Sequence, residues 1–259
     1  MNKIDEKFAE LKTKEQKALI GYFTAGYPNF TTSKEVILRS VKSGIDILEI
    51  GVPFSDPLAD GPIIQYTSNI ALQNGINMDK CFSLCEEIKN CVSIPYLLMT
   101  YYNPVYKYGI EKFTEKAKKC GVSGVIVPDL PFEESELLKK QLNKKDIFLI
   151  NFLTPFTQFD RGKKIIEQAD GFIYFITIAG ITGEKKEFDY NAFKVIEKYK
   201  KIKNIPFSAG FGISTVSQIK KIKKYVDGII VGSHFLKQLI YGKIENVEKS
   251  VSKFKEVLL

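Results

Sequence analysis

The sequence is poor in the residues that most often bind metals or form disulfides. His234 is the only histidine, which excludes histidine-based catalytic triads and multi-histidine metal sites. The cysteines are too few and too irregularly spaced for a disulfide framework, and no CxxC pair indicates zinc. They are Cys81, Cys85, Cys91 and Cys120. We therefore expect no metal, and carboxylates are the groups left to transfer protons.

Arginine, tryptophan and long apolar runs are also scarce or absent. The net charge is +8, but Arg39 and Arg161 are the only arginines and tryptophan does not occur. Because base readout and bidentate phosphate contacts favour arginine, the lysines predict a solvated helix surface and no nucleic-acid partner. No run of 18 apolar residues and no secretory leader pattern is found. We expect a soluble cytoplasmic protein without a membrane partner, or a plastid stromal one if the gene is organelle-encoded.

The most informative segment present is LEIGVPFSDPLADG, residues 48–61. Glu49 lies between Leu48 and Ile50 in a short apolar strand, where lost solvation should raise its pKa. Asp60 lies in the Pro-rich turn that follows and should stay ionised. Two acids in unequal environments are suited to acid–base catalysis near neutral pH. The residues alone leave two alternatives open: an ion-pair role for Glu49 and an ordinary Asp-Gly turn at Asp60.

Apolar strand candidates alternate with amphipathic helical stretches along the whole chain. The strand candidates are residues 18–24, 47–51, 96–100, 124–127, 148–152, 171–176, 206–209 and 228–231. Eight such repeats predict an α/β fold, a single (β/α)8 barrel domain over residues 1–259. The second repeat is longer, at roughly 49 residues, and predicts an extra helix after strand 2. Residues 4–11 predict an N-terminal helix that covers the barrel, and an open doubly wound sheet is the alternative.

Glycines follow the last three strand candidates, where such a barrel binds phosphate. Backbone N–H groups at glycines and helix starts attract anions, so these segments predict a small phosphorylated substrate. The segments are AGITG with Gly180 and Gly183, SAGFGIS with Gly210 and Gly212, and VGSHF with Gly232 and Ser233. The alternative is that the glycines only turn the chain. Thr215 and Gln218 predict a capping box that starts a helix after the second segment, and for His234 we expect a structural role.

Together these motifs resemble the tryptophan synthase alpha chain family. ALIGYFTAGYP, LLMTYYNPVYKYG and GVIVPDLPFEES resemble its first, third and fourth strand motifs, and GITG, GFGIS and VGS its phosphate loops. The resemblance implies a (β/α)8 barrel that cleaves indole-3-glycerol phosphate to indole and glyceraldehyde 3-phosphate. It also implies that this chain needs no cofactor, because the pyridoxal phosphate (PLP) of the family belongs to the beta chain that joins indole to serine.

The resemblance also assigns roles to individual residues. Glu49 would protonate indole C3 and remove the glyceryl hydroxyl proton, Asp60 would hold the indole N–H, and Tyr174 would lie near Glu49. The implied indole pocket comprises Tyr22, Ile64, Tyr101 and Phe211. The implied phosphate site comprises Gly183, Phe211, Gly212, Gly232 and Ser233, and Thr182 would lie on a mobile loop, residues 178–189, that closes over substrate. The chain departs from the family at Gly21, Tyr22, Ile178 and Ala179.

A partner is implied as well. Residues 53–57 and 103–106 place apolar and proline side chains on the active-site face, where exposed patches mark interfaces. In the resembling family these segments, with Asp56 and residues 131–134, dock onto the beta chain, which implies an αββα heterotetramer. Two alternatives stay open: a stand-alone indole-3-glycerol-phosphate lyase that releases free indole, and a binding protein on a decayed barrel.

Overall fold

A computed structural model describes residues 1–176, 193–210 and 212–259. Within these ranges the backbone forms nine parallel strands. They are β1 (Ala18–Thr24), β2 (Ile47–Gly51), β3 (Tyr96–Met99), β4 (Gly124–Ile126), β5 (Phe148–Leu149), β6 (Asn151–Leu153), β7 (Ile173–Ile176), β8 (Phe207–Gly210) and β9 (Gly228–Val231). Almost every strand residue is buried, as expected for parallel strands covered by helices.

The strands pair in the order β5-β4-β3-β2-β1-β9-β8-β7-β6. The fifth predicted strand is present as β5 and β6, interrupted at Ile150, because β5 pairs with β4 whereas β6 pairs with β7. The Ile150 N–H still donates to the Val125 carbonyl at 2.9 Å, so the interruption leaves the sheet nearly closed. The predicted barrel is therefore confirmed, and the open sheet is excluded. That residues 1–259 form one domain stays a prediction.

Twelve α-helices surround the barrel in the described ranges. They are α1 (Lys3–Thr13), α2 (Phe30–Lys42), α3 (Pro62–Gln73), α4 (Met78–Lys89), α5 (Tyr102–Tyr108), α6 (Ile110–Cys120), α7 (Glu136–Asn143), α8 (Phe159–Gln168), α9 (Lys194–Lys200), α10 (Val216–Ile222), α11 (Ser233–Ile240) and α12 (Ile244–Leu258). As predicted, two helices, α3 and α4, follow β2. No helix within the described ranges combines the length and the apolar character needed to span a bilayer.

The N-terminal helix closes one end of the barrel. Ile4, Phe8 and Leu11 recur on one face of α1 and pack into the inner core with Phe172, which lies just before β7. The Asn2 side-chain oxygen accepts from the Ile4 N–H at 3.0 Å, and its amide nitrogen donates to the carbonyls of Ser123 and Asp146, shortly before β4 and β5. The helix therefore plugs the N-terminal end of the strands and leaves the C-terminal end for the site.

Candidate active site

Glu49 lies in the middle of β2, in register with Tyr22 on β1 and Leu97 on β3. Its neighbours on β2 belong to the outer core beneath the helices, so alternation along the strand turns Glu49 into the barrel. The side chain is 1% exposed, and its Oε2 has no hydrogen-bond partner in the described part of the chain. Burial, and then the nearby charge of Asp60, raises the pKa of Glu49 to about 8. At pH 7 this carboxyl group is therefore mainly protonated.

Asp60 lies in the loop between β2 and α3 and is partly buried. Burial raises the pKa of Asp60 to about 6, and a hydrogen bond from the Tyr101 hydroxyl opposes that rise. The same hydroxyl accepts from the Ala59 N–H at 3.0 Å, and the Tyr101 ring packs against Phe54 with centroids 5.3 Å apart. At pH 7 Asp60 is ionised while Glu49 is protonated, which is the division of roles expected from the sequence.

One cavity of about 430 Å³ at the C-terminal end of the barrel brings most of the predicted residues together. Its lining includes Glu49, Asp60, Tyr174, Tyr22, Ile64, Gly212, Gly232 and Ser233. Tyr101 is not part of this lining, although its hydroxyl contacts Asp60 and its ring packs against Phe54. Thr182, Gly183 and Phe211, and the loop of residues 178–189, lie outside the described residues.

An apolar cavity of about 240 Å³ adjoins the first, and the two share Ala59, Met99 and Tyr174 in their walls. In it the rings of Phe152 and Tyr174 lie 5.0 Å apart. Apolar and aromatic walls of this kind bind a planar aromatic ring by burial and by ring packing. The carboxyl groups and the aromatic surface therefore lie side by side.

Two tyrosines fit into space that glycines leave on neighbouring strands. A Cβ on Gly51 would lie 2.0 Å from the Tyr22 hydroxyl, and a Cβ on Gly210 would lie 2.6 Å from the Tyr174 ring. Tyr22 and Tyr174 are both buried, and burial raises the pKa of each phenol well above its ordinary value. Both hydroxyls therefore stay neutral at the mouth of the barrel.

The predicted phosphate side is built from the ends of β8 and β9. Gly212 has a φ of +74°, a left-handed conformation that favours glycine, and Thr215 and Gln218 form the predicted capping box of α10. Gly232 is the N-cap of α11, which begins at Ser233. The first N–H groups of this helix have no partner within the helix and can face an anion.

His234 has a structural contact, as expected. Its Nε2 lies 2.7 Å from the Ser250 Oγ, and its ring stacks on Phe254 with centroids 5.0 Å apart. Burial, with a contribution from Lys237, lowers the pKa of His234, which keeps the ring neutral at pH 7. His234 also borders the 430 Å³ cavity, without a charge to offer an anion.

The sequence analysis gave no site role to several residues in that cavity wall, among them Met99, Ile213, Ile230 and Lys237. A signal existed for two of them. Ile230 is on β9, two residues before Gly232, and Lys237 is on α11, four residues after Ser233. For metals, no group of three or more potential ligands occurs among the described residues.

The fold and the site define a class of protein: a (β/α)8-barrel enzyme whose carboxyl pair borders an apolar pocket. The family model described as tryptophan synthase alpha chain matches residues 8–258. The tryptophan synthase alpha chain of Aquifex aeolicus is 41% identical over 260 residues, which cover 100% of this chain and 99% of that one.

Solved structures agree with the sequence match. A structure from Aquifex aeolicus superposes with a TM-score of 0.93 at 40% identity, covering 100% of this chain and 99% of that one. A chain of tryptophan synthase from M. tuberculosis gives a TM-score of 0.91 at 27% identity, covering 100% of each chain.

The chain therefore belongs to the tryptophan synthase alpha chain family, and the resemblance noted in the sequence is confirmed. The predicted reaction and enzyme class are confirmed with it. The chain is a carbon–carbon lyase of tryptophan biosynthesis that cleaves indole-3-glycerol phosphate.

Proposed function

We propose that Glu49 is the general acid and base of this cleavage. The observation that carries the proposal is a carboxyl group, 1% exposed, whose Oε2 has no partner in the described residues, and burial raises its pKa. Such a group holds a proton at neutral pH and has no competing hydrogen bond at that oxygen. It protonates C3 of the indole ring, and the resulting carboxylate removes the proton of the glyceryl hydroxyl next to the bond that breaks.

Asp60 supports the positive charge formed by that protonation. When C3 of indole gains a proton, the ring nitrogen becomes cationic and acts as the electron sink for carbon–carbon cleavage. An ionised Asp60 at the same cavity accepts the ring N–H and stabilises this charge. As the bond breaks, its electron pair returns to the ring, and indole and glyceraldehyde 3-phosphate form. Tyr174 stays neutral beside the pair and contacts the reacting atoms.

The remaining predicted residues bind the two ends of the substrate. The aromatic and apolar walls, with Tyr22 and Ile64, hold the indole ring. The N–H groups at Gly212, Gly232 and Ser233 hold the phosphate. We extend the same role to Gly183 and Phe211, and a closing role to Thr182, on the family resemblance alone.

We further propose that the active-site face docks onto a PLP-dependent beta chain in an αββα heterotetramer, in the cytoplasm, and passes indole to it. Three exposed apolar side chains on this face support the docking: Leu58 (88% exposed), Phe156 (77%) and Tyr106 (67%). Within the predicted docking segments Asp56 is exposed, whereas Pro53 and Val105 are buried. The exposed apolar side chain on the Asp60 loop is Leu58, just beyond residues 53–57.

Substitution of the buried acid tests the catalytic roles. Glu49→Gln keeps the shape of the side chain but cannot exchange the proton, so we expect cleavage to fall by about a thousandfold while substrate binding is retained. Steady-state cleavage of indole-3-glycerol phosphate and calorimetric binding of the same compound measure the two effects. Glu256→Gln makes the same change on the exposed face of α12 and should be unaffected. Full activity of the Glu49 variant would refute the assignment.

Addition of a beta chain tests the partnership. We expect cleavage to accelerate and free indole to disappear from solution when a beta chain, PLP and serine are supplied. Leu58→Asp should abolish the acceleration and leave the activity of the isolated chain unchanged. Strong activity alone, unaltered by the beta chain, would instead favour the stand-alone lyase.

A further inference from the structure

The charges around the 430 Å³ cavity leave a problem for a phosphorylated substrate. Asp60 is negative at pH 7, Glu49 is neutral, and a phosphate monoester carries close to two negative charges. Asp60 therefore repels the phosphate end of the molecule whose indole end it attracts. Backbone N–H groups offset part of this repulsion, but they supply only partial charges.

Lys237 is the only lysine or arginine among the described residues that line the cavity. It lies on α11 four residues after Ser233, so both side chains are on the face of the helix that borders the cavity. The side chain is exposed, and it pairs with no carboxylate in the described part of the chain. Other lysines are held in ion pairs, as Lys255 is with Asp46 at 2.7 Å.

The field of Lys237 reaches the cavity wall. Lys237 contributes to the lowered pKa of His234, the residue that follows Ser233. Burial is the larger cause of this lowered pKa and Lys237 adds to it, so the His234 ring is neutral and does not act as a counter-charge. A full positive charge and the N-terminus of α11 thus lie at the same side of the cavity, and both favour an anion there.

We propose that Lys237 is a substrate-binding residue that neutralises the phosphate group of the substrate and offsets its repulsion by Asp60. The inference rests on the proposed function, in which the phosphate lies at the start of α11. A mobile ammonium group on a long stem suits this role, because it follows the phosphate as the substrate enters and the product leaves.

Binding of phosphate compounds to variants of Lys237 tests this inference without any catalytic step. Titration calorimetry with glycerol 3-phosphate should give a Kd about five- to tenfold higher for Lys237→Gln than for the unmodified chain, and a near-normal Kd for Lys237→Arg. The Kd for indole, which has no phosphate, should not change. Added salt should weaken binding to the unmodified chain more than to Lys237→Gln, because one ionic contact has been removed.

Lys243→Gln is the matched control, since it removes the same charge just beyond the end of α11, outside the cavity wall. We expect it to bind glycerol 3-phosphate normally. The inference is overturned if Lys237→Gln binds this compound as tightly as the unmodified chain, or if Lys243→Gln is weakened equally. Because these measurements involve no cleavage, they stand apart from the Glu49→Gln result. An active Glu49→Gln variant would refute the assignment of Glu49 as the acid, but the binding test of Lys237 could still be interpreted.

Discussion

The two ends of the barrel are built on opposite principles. At the N-terminal end α1 closes the opening with apolar side chains, and the Asn2 amide donates to two backbone carbonyls, those of Ser123 at 3.0 Å and Asp146 at 2.8 Å. At the C-terminal end a cavity of about 430 Å³ remains, and the Oε2 of the buried Glu49 has no partner among the described atoms.

The two ends therefore differ in how their buried groups affect the stability of the fold. Buried apolar contacts and satisfied polar groups stabilise the fold at the plugged end. A buried carboxyl group without a partner destabilises the fold and acquires the proton affinity that catalysis needs. Substitutions at the two ends should therefore have opposite effects on stability and on activity.

The largest effect on stability is expected at the plugged end. Ile4 is fully buried and lies against Gly124 and Gly171, so Ile4→Ala leaves a cavity that neighbouring backbone cannot fill. We expect the free energy of unfolding to fall by about 3 kcal/mol, measured by urea denaturation. The kcat of the folded fraction should stay normal. A large loss of kcat without a loss of stability would contradict the division of roles between the two ends.

At the open end a substitution should stabilise the fold, in a pH-dependent manner. Burial raises the pKa of Glu49 from 4.5 to about 8, so between these values the folded chain holds a proton that the unfolded chain has lost. The contribution of Glu49 to stability is therefore full below pH 4.5 and is lost as the pH rises to 8. Relative to Glu49→Gln, the unmodified chain should lose about 2 kcal/mol between pH 6 and pH 8. Urea denaturation of both proteins at the two pH values measures this difference. An equal change in the free energy of unfolding of the two proteins would contradict the buried-acid assignment.

The smallest effect is expected within the open end, at the hydrogen bond between Tyr101 and Asp60. Tyr101 lowers the pKa of Asp60, so kcat/KM should rise through about pH 6 as Asp60 ionises and fall through about pH 8 as Glu49 loses its proton. In Tyr101→Phe the lower limb should move to higher pH, with a loss of about 1 kcal/mol, or fivefold, at pH values well below 6. Tyr106→Phe, the same change on an exposed side chain, should leave the profile of the isolated chain unaltered. An unmoved lower limb in Tyr101→Phe would argue against the contact with Asp60.

Most of the fold could be predicted from the sequence, because parallel barrel strands are short apolar runs between amphipathic helices. The bounds of β1, β2 and β9 agree with the predicted ones. The interruption of the fifth strand at Ile150 could not be predicted, because residues 148–152 are apolar apart from Asn151 and contain no glycine or proline. It arises from pairing with different neighbours on its two sides, which is a property of the closed sheet.

The site was predictable where chemistry and local sequence coincide. The apolar neighbours of Glu49 indicate burial directly. The raised pKa of Asp60 and the place of Tyr101 could not be read from the sequence, because both depend on a contact between the loop after β2 and the start of α5. Lys237 was missed for a related reason: a lysine in a helix predicts a solvated surface unless the helix is known to begin at an anion site.

The contacts between glycines and tyrosines at the mouth of the barrel have a consequence for the design of variants. Since Tyr22 occupies the space above Gly51, and Tyr174 the space above Gly210, the width of the pocket is shared between adjacent strands. A single methyl group at Gly51 would displace Tyr22 toward the substrate and narrow the entrance. Larger side chains at the glycines become acceptable only when the facing tyrosine shrinks in the same step. Variants that admit substituted indoles should therefore be sought in paired libraries, where each glycine and its tyrosine change together.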